Sequence, residues 1–210
     1  MPIISTEIAR DDYAIHLVRI FDDILERYGD TGGRFEKWCE SITDRLQSDS
    51  HANYQEGLEN LGKILGYHAY RPRYGTATDC LWRGVFGNSR EVVTFEAKIE
   101  HKASQEISAS DIGQAHNQLS RALTEYGTQG YTVRGTIVTH LNLLARDAEA
   151  SIGPIRIFAK QDIFALWERV RLVLSLYRDR WSLHDIPARM AAAQTIRAKL
   201  PATGWLMRAI

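Results

Sequence analysis

The stretch Glu91-Val-Val-Thr-Phe-Glu-Ala-Lys-Ile99 constrains the fold more than any other part of the chain. Successive side chains of a strand point to opposite faces. As a strand, this segment turns Val93, Phe95, Ala97 and Ile99 to one side, and that wholly apolar face demands burial. Thr94, Glu96 and Lys98 share the other side, a carboxylate and an ammonium two residues apart beside a buried layer. Glu-x-Lys is common on solvated strands, so its meaning depends on what faces it.

The segment before it supplies a partner. Asp79 to Phe86 reads as a strand, and Gly87-Asn88 as the turn joining the two. In a bulge-free hairpin about that turn, Asp79 and Glu96 lie equally far from its midpoint and face each other. Two carboxylates brought to one spot repel unless a cation or a proton relieves them. A hard cation with oxygen ligands, Mg²⁺ or Mn²⁺, is the natural partner. Lys98 beside such an ion could hold or help deprotonate an attacking water, a centre suited to phosphodiester hydrolysis.

Around this pair the chain alternates helical and extended patterns. Ile8, Tyr13, Ile15, Leu17, Val18, Phe21, Ile24 and Leu25 trace a helical stripe that Gly29 and Gly32-Gly33 interrupt. A second helix follows through Phe35, Trp38, Ile42 and Leu46, and a third runs from about His51 to Leu65 with Gly66 as its cap. Tyr67 to Tyr74, broken by Pro72, reads as an edge strand. Ser108 and Asp111 resemble a capping box opening a helix to Tyr126, with Ile112, Ala115, Leu119, Ala122 and Tyr126 on its apolar side. Tyr131 to Thr139 and Ile155 to Ala159 return to strand, Lys160 to Tyr177 is helical, and Trp181 to Lys199 forms a further helix or pair. Three successive strands imply antiparallel neighbours, and the helix before the fourth implies a parallel crossover. The expected fold is α/β, a mixed central sheet flanked by helices. Residues 1–50 and 181–210 are expected as helical N- and C-terminal extensions of a core at 51–180.

Charge and composition narrow the function. Lys plus Arg and Asp plus Glu each number 26, so the net charge is zero. Any nucleic-acid binding must therefore rest on a local patch, for which Arg71, Arg73 and Arg83 are candidates, with solvated surface arginines the equal alternative. Cys39 and Cys80 have no metal-ligand spacing and read as free buried thiols of a reducing compartment. His51, His68, His116 and His140 lack zinc spacing. No leader pattern opens at Met1 and no apolar run is long enough to span a membrane, so a cytoplasmic protein is expected. Neither a Gly-x-Gly-x-x-Gly fingerprint nor a phosphate loop is present, which argues against a dehydrogenase or kinase.

The stretches Glu56-Gly-Leu-Glu-Asn-Leu-Gly-Lys-Ile-Leu-Gly-Tyr67, Arg71-Pro72, Asp79-Cys-Leu-Trp82, Phe95-Glu-Ala-Lys98 and Ile107-Ser-Ala-Ser-Asp-Ile-Gly-Gln114 resemble the PD-(D/E)xK nuclease superfamily, the restriction-endonuclease-like fold. The resemblance spans roughly Glu56 to Tyr177 and looks closest to nuclease domains attached to or encoded beside superfamily 2 helicases, including those of phage-defence systems. It implies metal binding by Asp79, Glu96 and the Ala97 carbonyl, with Lys98 as the catalytic lysine. It also implies a helical glutamate ahead of the first strand; Glu56 fits best, Glu59 is the alternative, and helix geometry alone does not choose. Gln114 matches a glutamine that contacts the lysine, water or phosphate, although Gln114 and Gln118 also read as a hydrogen-bonding surface pair. The first motif departs from the pattern: Thr78, not proline, precedes Asp79. The expected function is a Mg²⁺- or Mn²⁺-dependent deoxyribonuclease acting on DNA, with a helicase or ATPase subunit as partner or as a homodimer. A regulatory subunit inert without its partner is the alternative, and an RNA nuclease a third reading. His101 and Lys102 are placed either in a DNA groove or in a solvated loop.

Overall fold

The computed structural model describes residues 4–73, 78–100, 105–141, 144–181, 186–187 and 189–191, with side chains from Tyr13 onward. His101, Lys102, Tyr74 and residues 192–199 of the expected last helix lie outside the described residues. The elements run α1 (Ile4–Tyr28), α2 (Arg34–Gln47), α3 (His51–Ile64), β1 (His68–Tyr70), β2 (Cys80–Phe86), β3 (Ser89–Lys98), α4 (Ala109–Tyr126), β4 (Thr132–Thr139), α5 (Arg146–Glu149), β5 (Arg156–Ala159) and α6 (Lys160–Trp181).

The alternation in β3 decides the layering. Val93, Phe95 and Ala97 face a core built from Leu17 and Phe21 of α1, Ile42 and Leu46 of α2, Leu58 and Leu61 of α3, and Val170 and Leu174 of α6. Each fully buried side chain of this kind contributes about 1.5–3 kcal/mol of transfer free energy. The N-terminal helices expected as an extension are thus part of the same apolar cluster as the sheet. On the opposite face α4 lays Ile112, Ala115 and Leu119 against Ile137, and Ala122 and Tyr126 against Leu81 and Val92. The stripe read from the sequence of α4 is the one buried.

The five strands stand in the order β1-β2-β3-β4-β5. β1, β2 and β3 are antiparallel neighbours, while β3–β4 and β4–β5 are parallel. Because α4 connects β3 to β4 and carries a long apolar stripe, the crossover covers the sheet that it bridges. In the hairpin, Cys80 faces Phe95 and Phe86 faces Ser89. Gly87 takes a φ of 60° in the turn, a left-handed conformation open to glycine at little cost. From Cys80 to Phe86 the bulge-free register expected about Gly87-Asn88 is the one formed.

β1 is shorter than expected, because Pro72 has no N–H to give the ladder and Arg71 to Arg73 leave it. The four-residue helix α5 was not anticipated; it is too short to show a periodicity. α3 lies close on the sheet at Gly62, where an added Cβ would sit 2.5 Å from Trp82 Nε1 and 2.7 Å from the Ala69 Cβ. The same Trp82 Nε1 donates to the Leu58 carbonyl at 3.0 Å, tying helix to strand. Cys39 and Cys80 are free and buried. Among the described residues no helix is long and apolar enough to cross a membrane.

Candidate active site

Asp79 stands at the entrance to β2, where its main-chain N–H donates at 2.9 Å to the carbonyl of Phe95, the partner of Cys80, so the chain leaves the hairpin register there. Its side chain is fixed from two directions. Oδ2 accepts the Ala97 N–H at 2.7 Å, and Oδ1 accepts Gln55 Nε2 at 2.6 Å. His51 Nε2 lies 3.1 Å from Oδ2. His51 and Gln55 are four apart in α3, so one helix face delivers both to the same carboxylate.

Glu96 is only 2% exposed. Its Oε1 is 2.9 Å from Lys98 Nζ, and its Oε2 accepts a hydrogen bond from Gln118 Nε2. Burial raises the Glu96 pKa above the ordinary carboxylate range, and the Asp79 charge raises it further; Lys98 and Gln118 oppose this without cancelling it. The carboxylate repulsion anticipated between the two hairpin positions is therefore present.

Lys98 meets three acceptors. Besides Glu96, its ammonium donates to Gln114 Oε1 at 2.9 Å and lies 3.2 Å from Asp111 Oδ1. Burial works against its charge, but the bonds and charges of Glu96 and Asp111 prevail and raise its pKa. Asp111 in turn belongs to the capping box of α4. The Ser108 N–H and hydroxyl donate to its Oδ2 at 3.0 and 2.7 Å, and the Asp111 N–H donates to Ser108 Oγ at 3.2 Å. One carboxylate thus starts the helix with one oxygen and holds the lysine with the other. Burial would raise the Asp111 pKa, yet the Ser108 bonds and Lys98 lower it overall.

Asp79, Glu96, Lys98 and Gln114 are accordingly brought together as expected. Glu56 is not. It forms an ion pair with Arg45 of α2 at 3.0 Å, because the helix face one residue on from Gln55 turns away from the sheet end. Glu59, the alternative, follows Gln55 on the same stripe but is engaged by Lys63 at 2.5 Å and Arg71 at 2.7 Å. Gln118 is no surface partner of Gln114: it is buried on Glu96. Sequence reasoning missed His51, Gln55 and Gln118 as members of the cluster, and Asp111 as the partner of Lys98. The spacing of four from His51 to Gln55, at the start of a helix leading to the sheet, was the available signal.

The donor chemistry fits a hard divalent cation. Asp79 and Glu96 offer carboxylate oxygens beside a main-chain segment, and their mutual repulsion is what a cation would relieve. Among the described residues no three His, Cys, Asp or Glu side chains converge as a ready-made ligand cluster. The protein's side-chain share of such a site is thus two carboxylates, the remainder falling to main chain and solvent. Beyond His51, whose N–H donates to Glu100 Oε1 at 3.1 Å, a cavity of about 780 Å³ opens. Ile99, Glu100, His140, Lys160 and Phe164 line it at the carboxyl ends of the parallel strands, where open α/β sheets bind ligands.

No family model, no curated protein and no solved structure matches this chain.

Proposed function

We propose that the protein is a metal-dependent nuclease hydrolysing the phosphodiester bonds of DNA, with Asp79, Glu96 and Lys98 at its centre. The observation that carries this reading is the convergence of a buried glutamate, a second carboxylate and a three-way-held lysine at one end of a hairpin. The PD-(D/E)xK resemblance supports it, since these residues are the ones that the resemblance assigns. Asp79, Glu96 and the Ala97 carbonyl would hold Mg²⁺ or Mn²⁺, which when bound polarises a phosphoryl oxygen and lowers the pKa of water.

The chain's own residues do the rest. Gln55, His51 and the Ala97 N–H fix the Asp79 carboxylate in one orientation. Gln118 does the same for Glu96. Lys98, held as a cation by Glu96 and Asp111, exchanges its third donor, which Gln114 Oε1 holds at rest, for the attacking water or a phosphoryl oxygen, stabilising charge as it develops.

A second reading is a subunit that cuts only when a helicase or ATPase delivers DNA, as in a defence or repair system. The zero net charge favours it, as do Leu172 and Leu176, exposed four apart on α6. The test is cleavage of supercoiled, linear and single-stranded DNA with Mg²⁺ or Mn²⁺, wild type beside Asp79→Ala, with calorimetric titration of Mn²⁺ into both. Metal-dependent cutting and metal uptake, both lost in the variant, are expected. Folded wild type that takes up no metal would sink the nuclease reading. Metal uptake without cutting would favour the partner-dependent subunit.

A further inference from the structure

We infer that a phosphodiester backbone runs across the β1 edge of the sheet, over Tyr70, Arg71, Arg73 and Arg83, and is led from there to Asp79. The inference rests on the nuclease reading and names the surface by which that centre takes its substrate. The register pairs His68 with Arg83 and Tyr70 with Leu81, so His68, Tyr70 and Arg83 share one face of the edge. Asp79 precedes Leu81, the partner of Tyr70, by two residues, so the Tyr70 end of β1 lies toward Asp79.

These groups form a connected surface. The Tyr70 and Tyr126 hydroxyls are 3.1 Å apart, and the Arg83 guanidinium lies over the Tyr126 ring at 5.9 Å. Next to Tyr70 a groove of about 460 Å³ is lined by Gln55, Glu59, Tyr70, Arg71, Pro72 and Arg73. Gln55 is the residue that donates to Asp79, so the groove ends at the candidate centre.

Its charge is positive although the chain is neutral. Glu59 is shared by Lys63 and Arg71, a trio with one positive charge in excess. Arg71 gives only Nε to Glu59, which leaves the other guanidinium donors for a ligand. Arg73 and Arg83 form no ion pair among the described residues, and Arg73 is exposed. Unpaired guanidinium groups beside the partly exposed Tyr70 ring match the two needs of a polynucleotide, charge for the phosphates and a flat surface for a base.

The test is fluorescence anisotropy with labelled single-stranded DNA, duplex DNA and RNA, in EDTA, across a salt series. Wild type is compared with Arg73→Glu, Arg83→Glu and, as a charge-matched control on α6, Arg169→Glu, with circular dichroism to confirm folding. Arg73→Glu and Arg83→Glu should each weaken binding about tenfold and flatten the slope of log K against log salt by about one, the control leaving both unchanged. The form of nucleic acid that shows the larger loss is the one the edge accommodates. Wild-type binding that neither reversal alters would overturn the path and leave the nuclease reading standing. Wild type that binds none of the three would also overturn it, and the separate loss of cutting in Asp79→Ala then decides the fate of the centre.

Discussion

Two helical glycines, Gly62 on α3 and Gly113 on α4, provide a quantitative check on how α3 meets the sheet. Gly62→Ala places a Cβ 2.5 Å from Trp82 Nε1, 2.6 Å from its Cε2 and 2.7 Å from the Ala69 Cβ. Ordinary carbon contacts are about 3.5–4.0 Å, so the helix and two strands must part by about 1 Å. Trp82 has no room to yield, being fully buried and bonded to the Leu58 carbonyl. Overpacking of this kind costs about 1–3 kcal/mol or more, and loss of the Trp82 bond adds about 1 kcal/mol. The better helix propensity of alanine returns about 1 kcal/mol. The net expectation is destabilisation by about 1–3 kcal/mol, a fall in Tm of about 2–12 °C for a chain this size. Gly113→Ala on α4 is the matched control, because its Cβ meets nothing within 4 Å; it should stabilise by up to about 1 kcal/mol. Urea unfolding followed by tryptophan fluorescence reads both. A Gly62→Ala protein as stable as wild type, or a Gly113→Ala protein less stable, would refute the packing argument.

Other expectations follow from the same contacts. Glu96→Gln should abolish cutting yet stabilise the protein at neutral pH, since it removes a buried charge that the Asp79 carboxylate repels. The sign follows from the raised pKa of Glu96: the native protein keeps that proton to higher pH than the unfolded chain, so wild-type stability falls as pH rises through the raised value. The variant lacks this fall, and melting curves should converge with wild type in acid and diverge above it. Ser108→Ala removes the side-chain cap of α4 and should cost about 1 kcal/mol in chemical denaturation; it should also slow cutting, because Asp111 loses the hydroxyl bond and keeps only the main-chain one to aim it at Lys98. Unchanged cutting in a destabilised Ser108→Ala protein would separate the cap from the site.

Much of this arrangement is legible in the sequence because it is local. The alternation of Val93, Phe95 and Ala97 sets the face of β3, and the symmetric placing of Asp79 and Glu96 about Gly87-Asn88 sets the hairpin register. The Ser108–Asp111 cap and the stripe of α4 need no tertiary information. What escaped depends on the rotation of one helix against a distant sheet. Glu56 and Gln55 are chain neighbours with equally polar side chains, and only the packing of Leu58, Leu61 and Gly62 on Trp82 decides which of them turns to Asp79. Gln118 was misread for a related reason: a polar residue beside Leu119 looks like helix surface unless a buried acid is known to lie opposite.

The dual use of Asp111 bears on how such a protein is made. Translation releases His51, Gln55, Asp79 and Glu96 well before Ser108, Asp111 and Gln118. A nascent chain that has just cleared β3 holds both carboxylates but neither the amide of Glu96 nor the acid and amide of Lys98. The lysine is secured only when the first turn of α4 winds, and α4 gains its full apolar footing only once β4 slots beside β3. A ribosome-bound fragment ending before β4 therefore carries every side chain of the cluster without the sheet partner that seats α4 against Lys98 and Glu96.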